Sequence, residues 1–169
     1  MITTDWEIGS IQDVVWYSGG RHRGGYTYRL CKMPEGGRTD ITEECFTKNV
    51  LEFATNFTAI MEANSKNGTW ASSLRYEQTD LGEGTYPEGS VWRPVGVSGY
   101  HALRRDKVIV PSNLTPGDYV LGWRWDVAEG LAQVTFFEVI IFFILENNAC
   151  SMFIGLVVLF VHQARAWWI

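Results

Sequence analysis

The sequence predicts an all-β fold, an antiparallel β-sandwich of the immunoglobulin/fibronectin-like kind followed by an apolar C-terminal tail. Three observations predict it. Short segments rich in β-branched and aromatic residues recur up to about residue 130. Turns bearing Gly or Pro separate them, and only one short helical start interrupts the series. The chain of 169 residues suits one domain with its own core and is short for two.

The strands follow in order. The segment DVVWYS (13–18) and the alternating YTYRL (26–30) are joined by GGRHRGG, whose paired glycines allow a tight turn. Next comes TDITEECFTK, where Asp40 with Glu43 three residues on predicts a capping box and a helical turn or two. Further strands are expected in VLEFAT (50–55), SLRYEQT (73–79) and KVIVP (107–111). The clearest strand is GDYVLGWRWD (117–126), introduced by Pro116-Gly117. Tyr119, Leu121, Trp123 and Trp125 fall on one face, and Val120, Gly122, Arg124 and Asp126 on the other. Because the second face is charged, the aromatic row is expected in the core rather than exposed as a sugar-stacking platform.

Composition changes near Val134, which divides the chain into a sandwich (1–133) and a tail (134–169). The tail is expected to be helical. Its uncharged part, Asn147 to Val161, is shorter than the ~20 apolar residues that a spanning helix needs. Extending it back to Val134 takes in Glu138 and Glu146, each costly in hydrocarbon. Arg165 and the Trp167-Trp168 pair resemble interfacial anchors. Three readings stand open: a transmembrane anchor with membrane contact through 134–161, a buried helix, or a non-native C-terminus replacing a last strand.

The formal net charge of −5 and the scattered arginines argue against nucleic acid, which needs a basic face. Of the three cysteines, Cys31 and Cys45 bracket a loop bearing Gly and Pro and are expected to form a disulfide. Cys150 stands alone in the tail. N-glycosylation sequons begin at Asn56, Asn67 and Asn113, and three within about sixty residues point to the secretory pathway. The opening MITTDWEIGS has neither the basic nor the apolar region of a signal peptide. Glu43, Glu44 and Glu77 show no paired arrangement of the glycosidase kind. No phosphate loop, zinc cysteine pair or nucleophile elbow is present.

The segments DWEIGSIQDVVWYSGGRHRGGYTYRLC, ITEECF, DKVIVPSNLTPGDYVLGWRWD and LAQV, from about Trp6 to Val134, together resemble the lytic polysaccharide monooxygenase and chitin-binding type-4 families. GGYTYRLC and GDYVLGWRWD carry most of the resemblance. It implies a copper histidine brace, in which a terminal histidine gives its amine and one ring nitrogen and a second histidine gives a third nitrogen. By position His22 matches that second histidine; read from the residues alone, it is a surface histidine at a turn. His101 and His162 fall in no matching motif.

The chain opens at Met1 and runs into the apolar tail where the family has its last strand, so the sandwich is expected to be incomplete. The expected function is secreted polysaccharide association, with chitin or cellulose as partner and copper oxidation confined to a full-length form. As written, the chain is expected to bind copper weakly and to oxidise no glycan. The alternative is a membrane-anchored extracellular glycoprotein used for adhesion, without catalysis.

Overall fold

The computed structural model describes residues 4–18, 23–62, 74–85, 87–95, 102–129, 133–145 and 159–162. Two sheets face one another. The first holds β1 (Ile11–Ser18), β8 (Ala102–Ile109), β4 (Phe57–Glu62) and β5 (Arg75–Gln78) in that order, with β3 (Glu52–Phe53) also on β8. The second runs β11 (Leu159–His162), β10 (Gln133–Leu145), β9 (Gly117–Glu129), β2 (Arg23–Lys32), β7 (Glu88–Pro94) and β6 (Gly82–Thr85). Neighbouring strands are antiparallel in both. The predicted all-β sandwich is the observed fold.

Alternation sets what each sheet turns inward. Tyr26, Tyr28 and Leu30 of β2 and Tyr119, Leu121, Trp123 and Trp125 of β9 meet Val14, Val108 and Val110 from the opposite sheet. Trp123 is 5% exposed and Trp125 7%, so the aromatic row is core, as its alternation predicts. The Trp16 ring packs 4.8 Å from that of Trp123 and 5.0 Å from that of Tyr26. Fully burying an aliphatic side chain such as Leu30 or Leu121 contributes roughly 1.5–3 kcal/mol.

The inter-sheet space also holds charge. Arg93 of β7 and Asp106 of β8 approach to 3.2 Å with both side chains fully buried. That contact is an ion pair rather than an aligned hydrogen bond, since the Arg93 Nε lacks a hydrogen-bond acceptor. Tyr26 and Tyr28 each donate to Asp106 Oδ2 at 2.8 Å, and Thr58 donates to Oδ1. Arg93 also donates to Thr79 Oγ1 at 2.9 Å and to the Thr55 carbonyl at 2.5 Å. Buried charge is tolerable when paired and hydrogen-bonded in this way. Burial, reinforced by the Asp106 charge, pushes both tyrosine hydroxyls well above their ordinary range.

A second, smaller core lies on the outer face of β2 and β9. Here α1 (Glu43–Thr47) lays Phe46 against Cys31 and Val120. The expected disulfide is present: Cys31 and Cys45 are bonded with Cα atoms 5.2 Å apart. Glu43 binds Arg29 at 2.5 Å and Arg124 at 2.9 Å. The helix cap differs from expectation. Thr42, not Asp40, is the N-cap and accepts from the Cys45 N–H at 3.3 Å. Asp40 ends a 3-10 turn of its own (Arg38–Asp40), and the extended residues Ile41 and Thr42 separate it from α1.

The helical reading of the tail is corrected over its first part. Gln133–Leu145 is β10, paired with β9 through thirteen register positions from Gln133↔Glu129 to Leu145↔Gly117. The expected break at Val134 does not interrupt this ladder. The segment is dominated by Val, Ile and Phe, which favour strands, and its apolar runs show no period that separates a buried strand from a buried helix. β10 therefore fills the edge of β9 that a missing strand would leave open, and β11 pairs with β10 in turn. Among the described residues no helix is long and apolar enough to cross a membrane.

Candidate functional site

β2 and β9 form the centre of the larger sheet, paired from Arg23↔Ala128 to Lys32↔Tyr119. They carry the two most specific segments of the sequence resemblance side by side. His22 lies outside the described residues, and β2 begins at the next residue, Arg23. His101 also lies outside them, immediately before β8. The residues that follow the two histidines belong to different sheets, Arg23 to the larger and Ala102 to the smaller. Ala102 stands opposite Ser18 and Glu62, and the Val95 N–H donates to the Gly24 carbonyl at 2.8 Å. His162 is on β11, an edge strand of the larger sheet, opposite Phe136 of β10.

Glycine is required where β2 begins. Gly24 has φ 127°, a conformation that side chains rarely adopt. Beside it is a cavity of about 260 Å³ lined by Gly24, Gly25, Gly82, Glu83, Gly84, Trp92, Pro94 and Asp126. A Cβ on Gly84 would fall 1.4 Å from the Trp92 Nε1, so the missing side chain leaves room for the indole. Trp92 is buried and donates to Ser90 Oγ at 2.5 Å. Asp126 accepts from Arg124 Nε at 3.1 Å, which ties the cavity wall to the Glu43 network. The recess thus has the Trp92 indole among its walls, with Glu83 and Asp126 among its lining residues. The sequence reading did not anticipate it, since β6 and β7 were not foreseen and Trp92 stood in no recognised strand.

Among the described residues no three His, Cys, Asp or Glu side chains come together to hold a metal. The described donors do not make a copper brace. Of the sequons, Asn56 and Asn113 are exposed, while Asn67 lies outside the described residues.

No family model matches the chain, and no curated protein matches it. Among solved structures, a lytic polysaccharide monooxygenase AA15 from Thermobia domestica in the Cu(I) state is similar, with 16% sequence identity and a TM-score of 0.47. The similarity covers 84% of this chain and 63% of that one, so the chain spans less than two thirds of that protein.

Proposed function

We propose that this chain is a lytic polysaccharide monooxygenase-like sandwich that works outside the cell and associates with a polysaccharide, chitin or cellulose. The observation that supports the reading best is the β2–β9 pairing. GGYTYRLC and GDYVLGWRWD, the segments that carry the sequence resemblance, lie in adjacent central strands in continuous register. The disulfide between Cys31 and Cys45 adds the chemistry of an oxidising compartment. In this reading His22 is one candidate ligand, and oxidative chemistry requires nitrogen donors beyond it. Copper is therefore a cofactor only of a form that completes the brace.

The test is co-sedimentation with insoluble chitin and with cellulose, followed by copper titration and product analysis with a reductant. Retention on either polymer, weak copper binding and no oxidised oligosaccharides are expected. Retention on neither polymer overturns polysaccharide association. Tight stoichiometric copper binding with oxidised products, both lost on His22→Ala, would instead establish a working metal site.

A further inference from the structure

The outer face of the smaller sheet carries features that the core does not use. Tyr76 is 59% exposed and Phe57 37% exposed, and their rings meet edge to face with centroids 5.4 Å apart. They form one wall of a second cavity, of about 210 Å³, with Thr55, Ala59, Arg105 and Lys107 around it. Lys107 pairs with Asp13 at 3.0 Å. Arg105 has no ion-pair partner among the described residues. An occupant of this cleft must therefore present an apolar face to two rings and oxygen acceptors to a guanidinium. A purely apolar partner would leave Arg105 buried without an acceptor, which is costly.

Asn56 supplies such an occupant from the same chain. It is exposed and begins the sequon Asn56-Phe57-Thr58, and the residues on either side of it, Thr55 and Phe57, both line the cleft. We propose that an N-linked glycan on Asn56 folds back into this cleft. The C–H face of its first N-acetylglucosamine packs on Tyr76 and Phe57, and its oxygens accept from Arg105. The cleft is then a cradle for the protein's own glycan, and glycosylation at Asn56 stabilises the sheet. Thr58 completes the sequon but donates to the buried Asp106 once the chain is folded, so the modification belongs to the unfolded, newly made chain. The inference rests on the extracellular reading above.

The test uses the full chain made in a secreting eukaryotic host. Glycopeptide mass spectrometry reads occupancy at Asn56 and Asn113. Thermal unfolding then compares the glycosylated protein, the same protein trimmed to its first sugar, and Asn56→Gln. Asn56→Gln removes the sequon without disturbing the Thr58–Asp106 contact. Glycosylated and trimmed forms should unfold together, about 2–4 °C above Asn56→Gln, the size of shift that one gained aromatic contact gives a chain of this length. In a Tyr76→Ala background, where an exposed ring is removed, the difference should vanish. An equal difference with and without Tyr76, or no difference in either, overturns the proposal. Asn113 modified with Asn56 bare also overturns it, while leaving the extracellular reading intact. Neither site modified overturns both.

Discussion

Arg93 reaches from β7 and Asp106 from β8 to meet 3.2 Å apart in the space between the sheets, with no solvent access to either side chain. The pair binds one sheet to the other at a place where most sandwiches rely on apolar contact alone. Its specificity lies in its neighbours. Tyr26, Tyr28 and Thr58 occupy the Asp106 oxygens, while Thr79 and Thr55 take Arg93 donors.

Asp106→Ala should therefore be among the most damaging single substitutions in the chain. It leaves a buried guanidinium unpaired and strands two tyrosine hydroxyls, a loss of about 3–5 kcal/mol. The double variant Arg93→Met with Asp106→Leu removes both charges and should recover a large part of that loss. Urea denaturation of the three proteins reads the effect. If Asp106→Ala unfolds at the wild-type midpoint, the pair is not what joins the sheets.

Charge of this kind explains where the sequence was legible and where it was not. Alternation in YTYRL and GDYVLGWRWD marked β2 and β9, and two cysteines around a turn-rich loop marked the disulfide. β8 was visible only as KVIVP, because its first half, ALRRDK, places Arg104 and Asp106 inward against the ordinary rule for charges. β10 was hidden for the opposite reason, since ten of its thirteen residues are Val, Ile, Phe or Leu in runs that leave no clear period of two. β6 (GEGT) and β7 (EGSVWRP) were missed because glycine fills half of the first, and the second holds both a glycine and a proline, residues that read as turn signals. The site was less legible than the fold. His22 and the glycine pair could be singled out, but Trp92, Glu83 and Asp126 line one recess only through the pairing of β6 with β7 and of β2 with β7 and β9.

The two buried tyrosines predict a response to alkali. Burial first, and the Asp106 charge second, raise both hydroxyls above the value of about 10 found in an unfolded chain. The fold thus holds protons that the unfolded chain releases. Their contribution is whole below about pH 10 and is lost as the pH climbs from there through the raised folded values. Tyrosinate absorbance should show two groups that titrate only on unfolding. Stability measured at rising pH should fall above about 10, and Tyr26→Phe with Tyr28→Phe should flatten that part of the fall. Normal titration of all tyrosines in the folded protein would refute the assignment.

The disulfide has a measurable worth. Cys31 and Cys45 are 14 residues apart and hold α1 to the sheet beside Phe46. Closing a loop of this length limits the unfolded chain and stabilises the fold by about 3 kcal/mol in the chain-entropy treatment. Cys31→Ala with Cys45→Ala should lower stability by about that amount while β2 and β9 stay paired. Hydrogen exchange would locate the damage. Protection should fall in 38–48 and persist in the strands; uniform loss across both would mean that the bond supports the whole sandwich.

The last prediction concerns the contact that seats α1. Phe46 is buried, and its ring covers Gly122, where β9 offers no side chain. A Cβ at Gly122 would lie 2.9 Å from two ring carbons of Phe46, closer than such contacts are found. The ring cannot simply retreat, because Arg29 packs over it at 5.4 Å and the Cys45 disulfide fixes the neighbouring turn. Gly122→Ala should thus cost about 1–3 kcal/mol by overpacking. A simple gain in strand propensity would predict the opposite sign, since glycine is poor in strand interiors. Shrinking the ring separates the two effects. In a Phe46→Leu background the clash is relieved, and Gly122→Ala should become neutral or mildly stabilising. Chemical denaturation of the four proteins completes a double-mutant cycle with a coupling above about 0.5 kcal/mol. Additive effects would mean that the ring and the glycine do not meet in solution, and that α1 sits elsewhere on the sheet.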